Sequence, residues 1–261
     1  MKKVNCIVMS LTVLLAIPVV AQTPEEQGLA IAIEADKRDT GWVDRSSDIH
    51  MTLRNAQGAE KTRQIRNMVL ETNDDGDKSL TIFEEPRDVK GTAFLSFTHA
   101  TQADDQWIFL PALNRVKRIS SGNKSGPFMG SEFAYEDLSS PELEKYTYKY
   151  LRDETVDGND CYVTERIPRY EHSGYSRLVE WTDKKLYQPR KIEYYDQKNA
   201  LIKTLTFSEY KQFLDKFWRA QLMTMVSHQT KKSTLLEWKN DQFNVGLDSR
   251  NFSDTALNRL R

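Results

Sequence analysis

The chain has 261 residues, 39% of them hydrophobic, with 37 basic side chains against 38 acidic ones and a formal net charge of −1. Without a basic excess to neutralise a phosphate backbone, nucleic acid is excluded as the expected partner. The two cysteines are Cys6 and Cys161, and Cys6 lies in an apolar leader, so neither an intramolecular disulfide nor a cysteine-based zinc site is expected.

Lys2 and Lys3 precede an apolar run from Val4 to Val20, which closes on Ala21 before the polar Gln22-Thr23. A basic start, an apolar middle and small residues at the end form a signal-peptide pattern, so residues 1–21 are expected to be removed. Cys6 sits within the apolar run and not at the cleavage point, which argues against a lipid-anchored N-terminus. The expected mature protein is one domain over 22–261, exported, soluble and periplasmic. Loss of Lys2 and Lys3 takes the basic count from 37 to 35 and the net charge to −3.

Thr23-Pro24-Glu25-Glu26 reads as a capping box with proline at the first helical position, and Leu29, Ala30 and Ile33 carry the helix towards a stop at Gly41. From there the period switches to two. Ile49, Met51 and Leu53 alternate with polar residues, and Arg66-Met68-Leu70 and Leu80-Ile82 continue around the acidic turn Asn73–Asp77. Further strands are predicted at 92–98, 106–110, 115–119, 146–151, 161–167, 177–182, 190–195, 201–207, 218–227 and 233–238. A short C-terminal helix is predicted over Asp254–Leu260.

Turns such as Asp157-Gly158-Asn159-Asp160 are short, which predicts an antiparallel meander of about a dozen strands linked by hairpins. Arg115-Val-Lys-Arg and Leu178-Val-Glu-Trp place charge opposite the apolar face, unlike the lipid-facing surface of a membrane barrel. So many strands exceed what a small barrel packs solid with its own side chains, so the sheet is expected to curl around helices, a ligand or both. A curved sheet with an apolar interior suits acyl chains, whose burial yields about 0.8 kcal/mol per methylene. A core filled by the protein itself is the competing reading.

The stretch 84–138 is the most distinctive. Phe128-Met129-Gly130-Ser131-Glu132-Phe133 puts large apolar residues in a glycine-containing loop, either tucked into the mouth of the sheet or offered to a partner. Together with Pro86-Arg87-Asp88-Val89-Lys90-Gly91-Thr92, Asp105-Gln106-Trp107, Leu110-Pro111, Arg115–Ile119, Tyr135-Glu136-Asp137-Leu138, Gly158–Val163 and Tyr194-Tyr195-Asp196, it resembles the periplasmic outer-membrane lipoprotein-sorting-like family, relatives of the carriers LolA and LolB. Glu132 and Ala134 depart from the family pattern, which has Asp and Thr there. The resemblance implies a mainly β fold: a single curved antiparallel sheet, an unclosed half-barrel, with helices covering its concave face. It also implies a hydrophobic cavity for lipid or lipoprotein acyl chains and, as partner, an inner-membrane exporter of the RND superfamily. It brings no catalytic residues.

The residues proposed for cavity or lid are Phe94, Phe97, Trp107, Phe109, Phe128, Met129, Phe133, Tyr135, Leu138, Met223 and Met225. Arg115, Lys117 and Arg118 are a solvated strand face or a contact for headgroups. An enzyme is not expected. The four histidines are isolated, no G-x-S-x-G elbow exists, and the acidic turn has Ile82 where a calcium loop needs Glu. No cofactor or metal is expected. The alternative function is an interaction adaptor of a membrane transporter whose cavity is filled by its own chain.

Overall fold

The computed structural model describes residues 22–72, 75–257 and 259, so the leader at 1–21 and the Asn73-Asp74 half of the acidic turn lie outside the described residues. Helix α1 spans Pro24–Arg38 and opens with the expected capping box, Thr23 and Glu26 each capping the other. It ends three residues before Gly41 because the Asp39 N–H turns back onto the Asp36 carbonyl.

Thirteen antiparallel strands follow in one sheet. The first six are β1 (Asp44–Arg54), β2 (Glu60–Leu70), β3 (Lys78–Glu85), β4 (Ala93–Phe97), β5 (Asp105–Leu110) and β6 (Arg115–Arg118). The other seven are β7 (Tyr146–Val156), β8 (Asn159–Pro168), β9 (Tyr175–Asp183), β10 (Pro189–Asp196), β11 (Leu201–Phe213), β12 (Phe217–Ser227) and β13 (Ser233–Phe243). Helix α2 (Asp254–Leu257) is the first turn of the expected C-terminal helix, and Arg259 lies in a turn.

The strand order is β6-β5-β4-β3-β2-β1-β13-β12-β11-β10-β9-β8-β7. Two hairpin meanders therefore meet where β1 pairs with β13, Ile49 opposite Trp238 and Met51 opposite Leu236. One connection is not a hairpin: residues 119–145 join β6 to β7, the two free edges of the sheet. This corrects the expectation of hairpins throughout, and it makes residues 119–145 a strap.

The strap shows how far the sheet curls. Strands β4 and β9 are eight positions apart in the order, roughly 38 Å in a flat sheet. Yet the Tyr135 ring is 5.6 Å from Phe94 on β4, and Asp137, two residues on, accepts a 2.7 Å hydrogen bond from Tyr175 on β9. The face under the strap is thus concave, and it is called the front here.

Period-two alternation sorts the side chains between the faces. On the front, Ile49, Met51, Ile65, Phe83, Phe94, Leu178, Ile192, Leu205, Met225 and Leu236 form the main core with Phe128 and Phe133 of the strap. On the back of β3–β5, Leu80, Ile82, Leu95 and Phe109 are sealed by Phe252 and Leu257 of the C-terminal segment. The cover of the front is shared between strap and helix. α1 packs on β7 and β8, with Gly28 directly on the main chain of Lys149 and Tyr150, while Asp39 beyond its C-terminal end pairs with Arg219 on β12.

Candidate functional site

Eight of the eleven sequence candidates come together on the front: Phe94, Phe128, Phe133 and Met225 in the core, with Met129, Tyr135, Leu138 and Met223 packed against it. The other three do not join them. Register places Trp107 opposite Leu95 and Phe109 opposite Ala93, so Trp107, Phe109 and Phe97 belong to the back cluster under the C-terminal segment. These three are corrected to structural residues of the back face, because β4 is apolar on both sides and its sequence does not say which side faces the strap.

The strap itself is a plug. Phe128 and Phe133 are 2% and 3% exposed, and the Phe128 ring lies 5.8 Å from Phe83 and 5.2 Å from Phe94. A mouth position for these two rings is therefore corrected to a place inside the core. The main-chain to main-chain hydrogen bonds made by described residues 121–144 all close within the strap and the residues flanking it, such as Phe128 N to Phe133 O at 2.7 Å and Tyr135 N to Gly126 O at 3.1 Å. The strap is a self-contained module, held to the sheet by side chains.

Five strands supply those polar anchors. Arg63 on β2 donates to the Met129 carbonyl at 2.7 Å, and Thr234 on β13 accepts from the Glu132 N–H at 3.0 Å. Gln106 on β5, fully buried, donates to the Tyr135 carbonyl and to Ser139 at 3.1 and 3.2 Å. Lys203 on β11 lies 2.5 Å from the Asp137 carboxylate, which also takes the Tyr175 hydroxyl of β9 and, at 2.6 Å, the Ala134 N–H. The Asp137 and Lys203 side chains are only 2% and 9% exposed. The Tyr175 and Tyr194 rings flank the ammonium at 5.1 and 5.0 Å. Burial and the Asp137 charge push the Tyr175 hydroxyl well above its ordinary pKa. Next door, Glu136 accepts from the Gly174 N–H, Ser173 and Tyr170, and its carboxyl is raised by burial and by Asp137.

The strap returns to the sheet at a second carboxylate pair. Ser140 donates to Asp77 at 3.1 Å. Burial raises Asp77 to about 6, and burial with the Asp77 charge raises Glu142 to about 7. Asp77, half-buried, also accepts from the Thr72 N–H at 3.3 Å.

Beside the strap, on the central strands β11–β13, Phe207, Met223 and Trp238 are half-buried against the core. The Trp238 indole N–H points at the Met223 sulfur at 3.1 Å, and Arg45 stacks on the Trp238 ring at 4.6 Å. A cleft of about 1060 Å³ lies elsewhere, lined by polar back-face side chains such as Asp48, His50, Gln64 and Arg66. Of the eleven candidates only Phe109 touches that cleft. Sequence reading missed Arg63, Lys203, Tyr175, Phe207 and Trp238. The available signal was a lysine at an inward position, Lys203 sharing the period-two face of Leu205 and Phe207.

A family model described only as an uncharacterized protein matches residues 75–259. A putative outer membrane lipoprotein-sorting protein domain from Vibrio parahaemolyticus is 56% identical with a TM-score of 0.88, covering 90% of this chain and 100% of its own. A DUF1329 family protein from Desulfovibrio piger is 32% identical with a TM-score of 0.86 over the same shares. The chain belongs to the lipoprotein-sorting-like DUF1329 family. A LolA-superfamily protein from Nitrosomonas europaea shares the fold at a TM-score of 0.69 and 21% identity, covering 89% of this chain and 98% of its own. The DUF1329 fold is thus the unclosed LolA-like sheet read from the sequence. No curated protein is significantly similar to the chain.

Proposed function

We propose that the protein binds lipid or lipoprotein acyl chains on the front face of its sheet and carries them towards the outer membrane. One observation carries this reading. An apolar concave face is covered by a strap whose described residues 121–144 make no main-chain to main-chain hydrogen bond to the strands beneath them. Displacing the strap breaks no sheet ladder and uncovers Phe83, Phe94 and Met225 in continuity with Phe207, Met223 and Trp238, which are already half-open. Acyl methylenes would replace the Phe128 and Phe133 rings, an exchange of apolar contact for apolar contact. Membership of a family with a putative lipoprotein-sorting member supports the cargo class.

In this proposal the protein is exported to the periplasm behind the 1–21 leader, works as one domain and catalyses no reaction. An RND-superfamily exporter is the proposed inner-membrane partner, as the family resemblance implies. The burial of Phe128 and Phe133 favours a second reading, an adaptor whose strap fills the space permanently. A reversible lock separates the two. Glu132→Cys with Thr234→Cys joins strap to β13 where Glu132 N and Thr234 Oγ1 are already 3.0 Å apart. A carrier should lose uptake of a fluorescent fatty acid when oxidised and regain it on reduction. Equal uptake in both states would sink the displaceable strap.

A further inference from the structure

The antiparallel order puts the connections β1–β2, β3–β4, β5–β6, β8–β9, β10–β11 and β12–β13 at one end of the sheet, where Arg54 pairs with Ser233 and Lys203 with Ser227. The Met129–Gly130 turn of the strap reaches this same end, since Arg63 holds its carbonyl. Those connections are basic. Arg87 and Lys90 stand on the β3–β4 loop, Arg115 on the β5–β6 tip, Lys198 on the β10–β11 turn, and Lys231 and Lys232 on the β12–β13 turn. All six are exposed, and none has a carboxylate within 4.0 Å among the described residues. The exposed acids here, Glu85, Asp88 and Glu171, do not balance them, while Glu60 is spent on Arg54. At the opposite end the connections carry Glu71, Asp75, Asp77, Asp104, Asp157 and Asp215, which outnumber Lys184, Lys185 and Lys216 there. The charge of a nearly neutral chain is therefore split along the strands.

We infer that this basic rim docks on an anionic lipid surface, turning the Met129–Gly130 end of the strap to the membrane. The cations sit on separate turns, and of the six only Lys90 lines the back-face cleft, so no shared pocket gathers them to read a shaped protein partner. Dispersed charge suits a fluid plane of headgroups, where each cation near the surface strengthens binding about fivefold and salt weakens it. Leu113, 68% exposed at the β5–β6 tip and packed beside Gly91 through Pro111, adds an apolar contact at the same rim. The orientation rests on the lipid-handling proposal for its purpose, but vesicle binding is measured without cargo, so either can fail alone.

The test is co-sedimentation of the purified protein with vesicles of phosphatidylglycerol and phosphatidylcholine, and with phosphatidylcholine alone. Salt-sensitive binding to the anionic vesicles only is expected. Lys198→Gln/Lys231→Gln/Lys232→Gln should weaken it about a hundredfold. Lys184→Gln/Lys185→Gln/Lys216→Gln, at the other end, should leave it unchanged. Equal binding to both vesicle types, an unaffected rim variant, or an equal loss in the control variant would each overturn the rim. No vesicle binding with salt-sensitive capture by polyglutamate would overturn the lipid surface in favour of an acidic protein.

Discussion

Removing the carboxylate of Asp137 should open the strap without dismantling the sheet. Lys203 is 9% exposed and its ammonium depends on Asp137 for its only carboxylate within 4.0 Å among the described residues. Asp137→Ala leaves that charge buried, and it strips an acceptor from Tyr175 and from the Ala134 N–H. Breaking one partner of a buried pair costs about 3–5 kcal/mol. Most of that cost vanishes when the strap lifts and water reaches Lys203, so strap opening should rise about 10²- to 10³-fold. Hydrogen exchange read by mass spectrometry on peptides covering 124–140 measures it directly. Adding Lys203→Met to Asp137→Ala removes the stranded charge and should return most of the lost protection. If the double variant exchanged as fast as the single one, the strap would not be held by this pair and the reasoning would be refuted.

The carboxylate pair at the strap's return gives a pH dependence. Asp77 and Glu142 titrate at about 6 and about 7 when folded, above their ordinary 3.8 and 4.5, with Asp36, Asp39, Glu71 and Glu144 adding repulsion and Lys145 offsetting it. The folded state therefore holds extra protons, so this stability is complete below about pH 4 and is lost as pH rises through 6 and 7. Urea midpoints from pH 4 to 8 should fall less steeply in Asp77→Asn/Glu142→Gln than in the parent, and parallel slopes would refute the assignment. Gly28→Ala places a Cβ 2.7 Å from the main chain of Lys149 and Tyr150, so α1 must shift. The cost of about 1–3 kcal/mol exceeds the gain in helix propensity of about 1 kcal/mol, and Tm should drop. An unchanged Tm would show that α1 is loosely seated.

The sheet was legible because its outer positions are polar. Alternation along 49–53 and 201–207 located β1 and β11, and short Asp- and Asn-rich turns located their partners. What escaped was topology, since nothing in a strand's own sequence says that β1 would pair with β13 and leave β6 and β7 as edges. Face assignment failed on β4, where Ala93-Phe94-Leu95-Ser96-Phe97 is covered by the strap on one side and the C-terminal segment on the other. A strand buried on both faces loses the alternation that would orient it. The unusual apolar loop at 128–133 was visible as unusual, but a lid and a plug have the same composition and differ only in burial. Lys203 and Arg63 went unread because charged residues normally mark the solvent side, and here they mark where another part of the chain must be held.

Acyl-chain binding is the central claim, and native mass spectrometry with lipid extraction tests it most directly, on protein purified from an envelope fraction without detergent. A co-purifying phospholipid or acylated species, released when the strap is opened by Asp137→Ala in excess unlabelled fatty acid, is the expected result. A clean apo mass that persists after incubation with envelope lipids would contradict it and leave the strap as permanent filling of the sheet.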